Sequence, residues 1–167
     1  MIKSLRPSLF IALVVALLVV APFPHPASAA NVLPNNVITL TPSDLVAKIE
    51  TADKPFALLV FASWCPYCKQ QMDKLNALSP EQRATLPEIY AISIDADPEA
   101  YSRFLTTHSG LFFATRLYSG STSLEVLLQN YASVFNGGIP YTAVFNNKKI
   151  IKEFNGLVDP ALIAVGN

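Results

Sequence analysis

Cysteine and histidine are scarce, at two residues each in a chain of 167. A structural zinc site takes four ligands, and beyond the first 29 residues the only histidine is His108, so a zinc site built on the two thiols is excluded. Covalent haem attachment needs histidine directly after the second cysteine, and Lys69 stands there. A bridging iron–sulfur cluster has no support beyond the thiols themselves. Net charge is also missing, since twelve basic residues balance twelve acidic ones. No basic run or basic–aromatic interleaving leaves a footprint for phosphate, so nucleic acid is not an expected partner. Repeats and low-complexity tracts are absent as well.

A long apolar run is the remaining absence. Leu9 to Ala21 is uninterrupted but short of the roughly 20 residues that span a bilayer comfortably. Lys3 and Arg6 precede it, Pro22, Pro24 and Pro26 break it, and Ala27-Ser28-Ala29 supplies small side chains, the pattern of an export signal. Cleavage is expected after Ala29, with Ala30 as the alternative; an uncleaved membrane anchor is the other reading, and either way the remainder is exported. The expected organisation is a signal peptide over 1–29, a flexible lead-in over 30–36 and one domain over 37–167. The 138 residues left after cleavage suffice for one core and carry an excess of two acidic groups.

Within that domain helix and strand alternate. A short strand is expected at Val37 to Leu40, then a helix opened by Thr41-Pro42-Ser43-Asp44, with Thr41 as cap, Asp44 completing a capping box, and Leu45, Val46 and Ile49 buried. Phe56 to Phe61 is a continuous apolar run, as in a central strand covered on both faces. A helix is predicted from Pro66 to about Leu78, stopped by Ser79-Pro80, followed by a strand at Ile89 to Ile94 and a helix opened by Asp97-Pro98-Glu99. Leu111 to Tyr118 reads as a strand. Thr122 to about Phe135 reads as a helix with Leu124, Leu127, Leu128, Tyr131 and Val134 inward, ended by Gly137-Gly138. Tyr141 to Phe145 and Lys149 to Phe154 form a hairpin across Asn146-Asn147, and Asp159-Pro160 opens a last helix. Such alternation implies a mostly parallel sheet flanked by helices, to which the hairpin adds an antiparallel edge.

The chemistry concentrates in Ala62-Ser63-Trp64-Cys65-Pro66-Tyr67-Cys68-Lys69, where a buried strand gives way to a helix. Two cysteines three apart close too small a loop to staple a fold, which favours a bond that is made and broken. Unpaired N–H groups at a helix N-terminus stabilise negative charge, so Cys65 is assigned as the exposed, attacking thiolate. Pro66 suits the first helical position, and the offset keeps Cys68 one turn away as the shielded, resolving thiol. The pair is its own redox centre, a Cys65–Cys68 disulfide, with no other cofactor or metal expected.

The Trp-Cys-x-x-Cys element, the strand before it, and Gly138-Ile139-Pro140 downstream resemble the thioredoxin superfamily over about residues 37–165. Within it, the export signal and the extra strand and helix across 111–135 are similar to the periplasmic TlpA-like branch. The resemblance implies an α/β thioredoxin fold of three layers, a central mixed sheet flanked by helices with a strand–helix insertion near 111–135. It further implies a cis Pro140 facing the pair, an Ile139 backbone that pairs with an extended substrate segment, and Trp64, Pro66 and Tyr67 on the substrate-facing rim. Trp64 has an alternative as a core aromatic.

Several positions depart from that pattern. Leu59 stands where thioredoxins carry a buried acid that takes the resolving thiol's proton, and Asp73 replaces a helix-kinking proline. Water or another carboxylate must take that proton, and Asp95 at the end of its strand is the candidate, although it is read first as a strand-end turn acid; Lys69 is read as a solvated lysine and His108 as an exposed loop histidine. Cys-Pro-Tyr-Cys resembles the loop of glutaredoxins, yet no glutathione site is recognisable.

The expected function is exported thiol–disulfide exchange with protein substrates by a monomer, reset by a membrane-bound electron donor or acceptor. Its direction is set by the reduction potential. The runner-up is a redox-inert thioredoxin-fold module that binds or chaperones secreted clients. Peroxide reduction lacks a recognisable peroxidatic constellation.

Overall fold

The computed structural model describes residues 37–165, so the expected signal over 1–29 and lead-in over 30–36 lie outside it. Six strands, β1 (Thr39–Leu40), β2 (Phe56–Phe61), β3 (Glu88–Ser93), β4 (Thr115–Tyr118), β5 (Tyr141–Asn146) and β6 (Lys149–Asn155), form one sheet in the order β1-β4-β3-β2-β5-β6. The first four run parallel to one another, β2 pairs antiparallel with β5, and β5 pairs antiparallel with β6. The hairpin therefore places β5 beside β2 and β6 at one edge of the sheet, with β1 at the other.

Period-2 alternation divides the side chains of β2 between two cores. Ala57, Leu59 and Phe61 join Cys65, Cys68, Met72, Leu75, Tyr101, Phe104 and Ile163 on one face. These come from β2 and three helices, α2 (Pro66–Asn76), α4 (Pro98–Thr107) and α6 (Pro160–Ile163). Phe56, Leu58 and Val60 meet Leu45, Ile49, Leu124, Leu127 and Leu128 on the other, from α1 (Pro42–Thr51) and α5 (Leu124–Gln129). All six β2 residues are buried, each large apolar one contributing about 1.5–3 kcal/mol of transfer free energy. This is the three-layer mixed sheet that the alternation implies, and β4 of the 111–135 insertion lies between β1 and β3.

Helix starts follow the capping chemistry of the sequence. Thr41 and Asp44 form the reciprocal capping box on either side of Pro42, and Asp97 and Asp159 cap helices that open on Pro98 and Pro160. Helix ends differ more. The helix from Pro66 stops at Asn76 and not near Leu78, because Ser79-Pro80 opens a further short helix, α3 (Pro80–Ala84), by a second capping box with Gln82. The predicted stop signal is in fact a start signal. The helix expected over 122–135 ends at Gln129; Ala132 adopts left-handed φ of 59° and turns the chain back, leaving Val134 exposed and not inward. Val46 is also exposed, unlike Leu45 and Ile49. The hairpin turn sits one residue later than expected, at Asn147-Lys148, both with positive φ of 47° and 65°.

Candidate active site

Cys65 caps α2. Its extended backbone turns the chain from the Ala62-Ser63-Trp64 loop into the helix, with the Cys65 N–H donating to the Ala62 carbonyl at 3.1 Å. The Cys68 N–H donates to the Cys65 sulfur at 3.1 Å, so the first turn of the helix delivers one of its unpaired amides to that atom. Pro66 occupies the first turn, where a missing N–H costs nothing. Along α2 the residues Cys68, Met72 and Leu75, together with Gln71, form the buried stripe, and Asp73 is exposed on an unbroken helix.

Both thiols are free and both are buried, Cys65 at 4% exposure and Cys68 at 1%. The expectation of an exposed Cys65 is corrected by the Ile139 loop, whose carbonyl oxygen covers the sulfur and accepts from it at 3.8 Å. Burial, first of all, pushes the Cys68 thiol far above the ordinary thiol range; its contact with Cys65 and the charge of Asp95 act in the same direction.

The Ile139-Pro140 peptide bond is cis, and Pro140 is buried at the head of β5. Its carbonyl accepts from the Gly156 N–H at 2.8 Å, where Gly156 follows β6 in the left-handed region at φ 86°. Ile139 is half-buried and touches both cores. The loop before it is tied from behind by Glu153 on β6, whose carboxylate accepts from Ser133 Oγ at 2.6 Å, from the Val134 N–H at 2.8 Å and from the Tyr141 hydroxyl.

Trp64 and Tyr67 are 66% and 64% exposed, so the tryptophan is a surface aromatic and not a core one. The structure thus gathers Cys65, Cys68 and Ile139, with Pro140 next to Ile139 and Trp64, Pro66 and Tyr67 adjacent to the thiols in the chain. Lys69 is exposed, and His108 ends α4 with its ring stacked on Phe104 at 4.1 Å. Among the described residues no group of three or more His, Cys, Asp or Glu side chains is arranged to hold a metal, and no helix is long and apolar enough to cross a membrane.

Asp95 does lie just past the end of β3, as expected of a strand-end acid, but it is buried, at 6% exposure. It accepts from the Ser63 N–H at 2.9 Å, from the Ser63 hydroxyl at 2.7 Å and from the Ser93 hydroxyl. Leu59, at the position of the missing thioredoxin acid, packs in the same core as both cysteines. The available signal was Ser93: a serine inside an apolar strand needs a partner, and a residue two further on lies on the same side.

Comparison with solved structures finds StoA from Bacillus subtilis, 18% identical over 69% of this chain and 83% of that one, with a TM-score of 0.52. It also finds the pneumococcal exposed lipoprotein thioredoxin Etrx1 from Streptococcus pneumoniae, 14% identical over 71% and 84%, with a TM-score of 0.52. These likenesses identify the architecture as a thioredoxin fold. No curated protein matches the chain. The model of the AhpC/TSA family matches residues 35–154, which include both cysteines, the cis proline and every strand but the last residue of β6. With the sheet order, the paired thiols and that match in hand, the chain belongs to the AhpC/TSA family of the thioredoxin superfamily.

Proposed function

We propose that this protein is an exported thiol–disulfide oxidoreductase of the TlpA-like kind that exchanges disulfides with protein substrates through Cys65 and Cys68. The observation that carries the reading is the contact between the Cys65 sulfur and the Cys68 N–H at 3.1 Å, at the start of a helix. It supplies a hydrogen bond and a helix terminus to a sulfur that must carry negative charge when it attacks or leaves. The exposed rings of Trp64 and Tyr67 and the Ile139 backbone beside Cys65 offer apolar surface and a peptide edge to an extended client.

In the reductive direction the Cys65 thiolate attacks a client disulfide, one client sulfur leaves as thiolate, and a mixed disulfide forms. The Cys68 thiolate then attacks Cys65, the second client thiolate leaves, and the Cys65–Cys68 disulfide carries the two electrons' worth of oxidation. The reverse sequence oxidises a client. A membrane-bound donor or acceptor resets the pair, and the monomer suffices for the exchange. The signal pattern over 1–29, with Lys3 and Arg6 ahead of the apolar run, supports export, and the pneumococcal neighbour is named an exposed lipoprotein.

The test is to express Cys68→Ser in its native host and isolate mixed disulfides. Clients linked to Cys65 and absent from Cys65→Ser are expected. No trapped client and no exchange by the purified wild-type protein would favour the redox-inert module, and fast oxidation of Cys65 by hydrogen peroxide in place of disulfide exchange would overturn the reading.

A further inference from the structure

Asp95 lies just past β3 with its carboxylate turned into the core face that carries both cysteines. Ile89 and Ala91 of the same strand belong to that core, and Ser93 continues the alternation. Three donors converge on the carboxylate, two from Ser63 and one from Ser93, while the Asp95 N–H returns to Ser93 Oγ at 3.0 Å. Such a set matches the acceptor-only anion, and it leaves the oxygens engaged with no hydrogen bond to either thiol. Ser63 is two residues before Cys65, in the loop whose Ala62 carbonyl receives the Cys65 N–H. A carboxylate from a neighbouring strand therefore holds the loop that leads into the thiol pair.

We propose that Asp95 is a positioning residue of the exchange reaction: clamped on Ser63, its fixed negative charge opposes the Cys68 thiolate and prolongs the mixed disulfide between Cys65 and a client. This rests on the exchange reading given above. The chemistry is the resolving step. Cys68 gives its proton to water, its thiolate bonds to the Cys65 sulfur, the Cys65–client bond breaks, and the client thiolate takes a proton from water. Cys68 is buried, which already disfavours the first event, and the carboxylate held on the Ser63 loop of the same core adds a smaller opposition of the same sign. The other titratable groups in reach are Cys65 itself and Tyr101 on α4, opposite Asp95. Burial pushes Tyr101 up to about 12, so it stays uncharged through the range of exchange, and the Ala62 amide acts on Cys68 in the opposite sense to Asp95.

Asp95→Asn separates charge from shape. An asparagine can accept from Ser63 N–H and Ser93 through its oxygen and donate to the Ser63 hydroxyl through its amide, so every bond of the clamp keeps a partner. Two rates are read against pH. One is alkylation of Cys68 by iodoacetamide in a Cys65→Ser background. The other is loss of a preformed mixed disulfide between Cys65 and a short cysteine peptide.

Asp95→Asn is expected to move Cys68 alkylation to lower pH and to shorten the mixed disulfide near neutral pH. Resolution should speed up about threefold for each tenfold gain in thiolate, since a more acidic thiol is also less nucleophilic. Ser63→Ala, which keeps the charge, should leave the Cys68 profile in place. Slower resolution in Asp95→Asn would make Asp95 a proton acceptor and overturn the proposal, as would an unchanged Cys68 profile. So would a lifetime that Ser63→Ala alters as strongly as Asp95→Asn. If Asp95→Asn does not fold, the Cys65→Ser chain still decides, because Cys68 titrating there as an ordinary thiol near about 8.5 removes the opposing charge from the mechanism. Alkylation needs no client, so absence of exchange with any protein would count against the proposed function, whereas an unchanged Cys68 profile would count against Asp95 alone.

Discussion

Glu153 on β6 accepts a hydrogen bond from the hydroxyl of Tyr141, the residue that follows Pro140. The same carboxylate oxygen holds Ser133 and the Val134 amide, and Ser133 Oγ lies 2.7 Å from the Tyr141 hydroxyl. One half-buried acid thus joins the edge strand, the central hairpin and the loop that ends at Ile139.

Glu153→Ala should cost about 1–3 kcal/mol, because the buried Tyr141 hydroxyl and the Ser133 hydroxyl lose a charged partner together. Glu153→Gln keeps an acceptor and should cost less. Urea denaturation measures both. Exchange with a small disulfide-bonded protein should fall in Glu153→Ala, since the 131–139 loop loses its tie to β6. A variant as stable and as active as wild type would show that the tie has no part in either.

Alkylation of the reduced protein should be asymmetric. Cys68 is the more deeply buried thiol and burial opposes its ionisation, so near neutral pH Cys65 should be modified at least about tenfold faster. Mass mapping of partially alkylated protein reads the order directly. Modification of Cys68 first, or of both at one rate, would reverse the assignment of attacking and resolving thiols.

Stability of the reduced form should decline in alkali. Burial raises Cys68 above the ordinary thiol range, so the folded state binds that proton more tightly than the unfolded chain. The contribution is intact below the unfolded value and lost as pH rises past it, at most about 1.4 kcal/mol per pH unit. Tyr101 and Tyr141, both raised chiefly by burial, add the same trend in either redox form. The reduced protein should therefore lose more stability than the oxidised one between about pH 9 and 10. Denaturation of both forms across that range checks it, and parallel curves would contradict the burial of Cys68.

At the hairpin turn Lys148 holds φ of 65°, a region that side chains other than glycine occupy at a cost. Lys148→Gly should stabilise the domain by about 0.5–1 kcal/mol and favour the same two-residue turn. The exposed pair of Lys148 with Glu50 at 3.2 Å would be lost, which is worth only a few tenths. Thermal unfolding should move up by a few degrees, and a decrease would mean that the pair outweighs the backbone relief.

Much of the fold was legible wherever local chemistry and burial agree. Thr41-Pro42-Ser43-Asp44 opens α1 because its cap needs only neighbours, and the apolar Phe56–Phe61 run can only be a strand with helices on both sides. One failure is local, the Ser79-Pro80 start signal read as a stop, and others lie where a distant residue decides. Nothing between Thr122 and Phe135 announces that Glu153 will capture Ser133 and the Val134 amide, so the apolar spacing there overstates the helix. The place of the thiol pair, at a strand-to-helix junction, was legible as a sequence motif. The buried state of Asp95 was not, because it depends on Ser63, 32 positions away and on another strand's exit loop. Nor was the cover over Cys65, which comes from an Ile139 carbonyl 74 positions downstream.

The sheet order carries a consequence for how the chain is made. β1 pairs with β4 alone, Thr39 lying opposite Leu117, whereas β2 finds its first partner in β3. A polypeptide emerging N-terminus first must hold β1 unpaired until the residues of β4 have followed, and closing that long loop is entropically the slower event. The β2–β3 pair, the two strands that lead to Ser63 and Asp95, closes a much shorter loop, so the framework beneath the thiols can assemble while the leading end of the domain is still open.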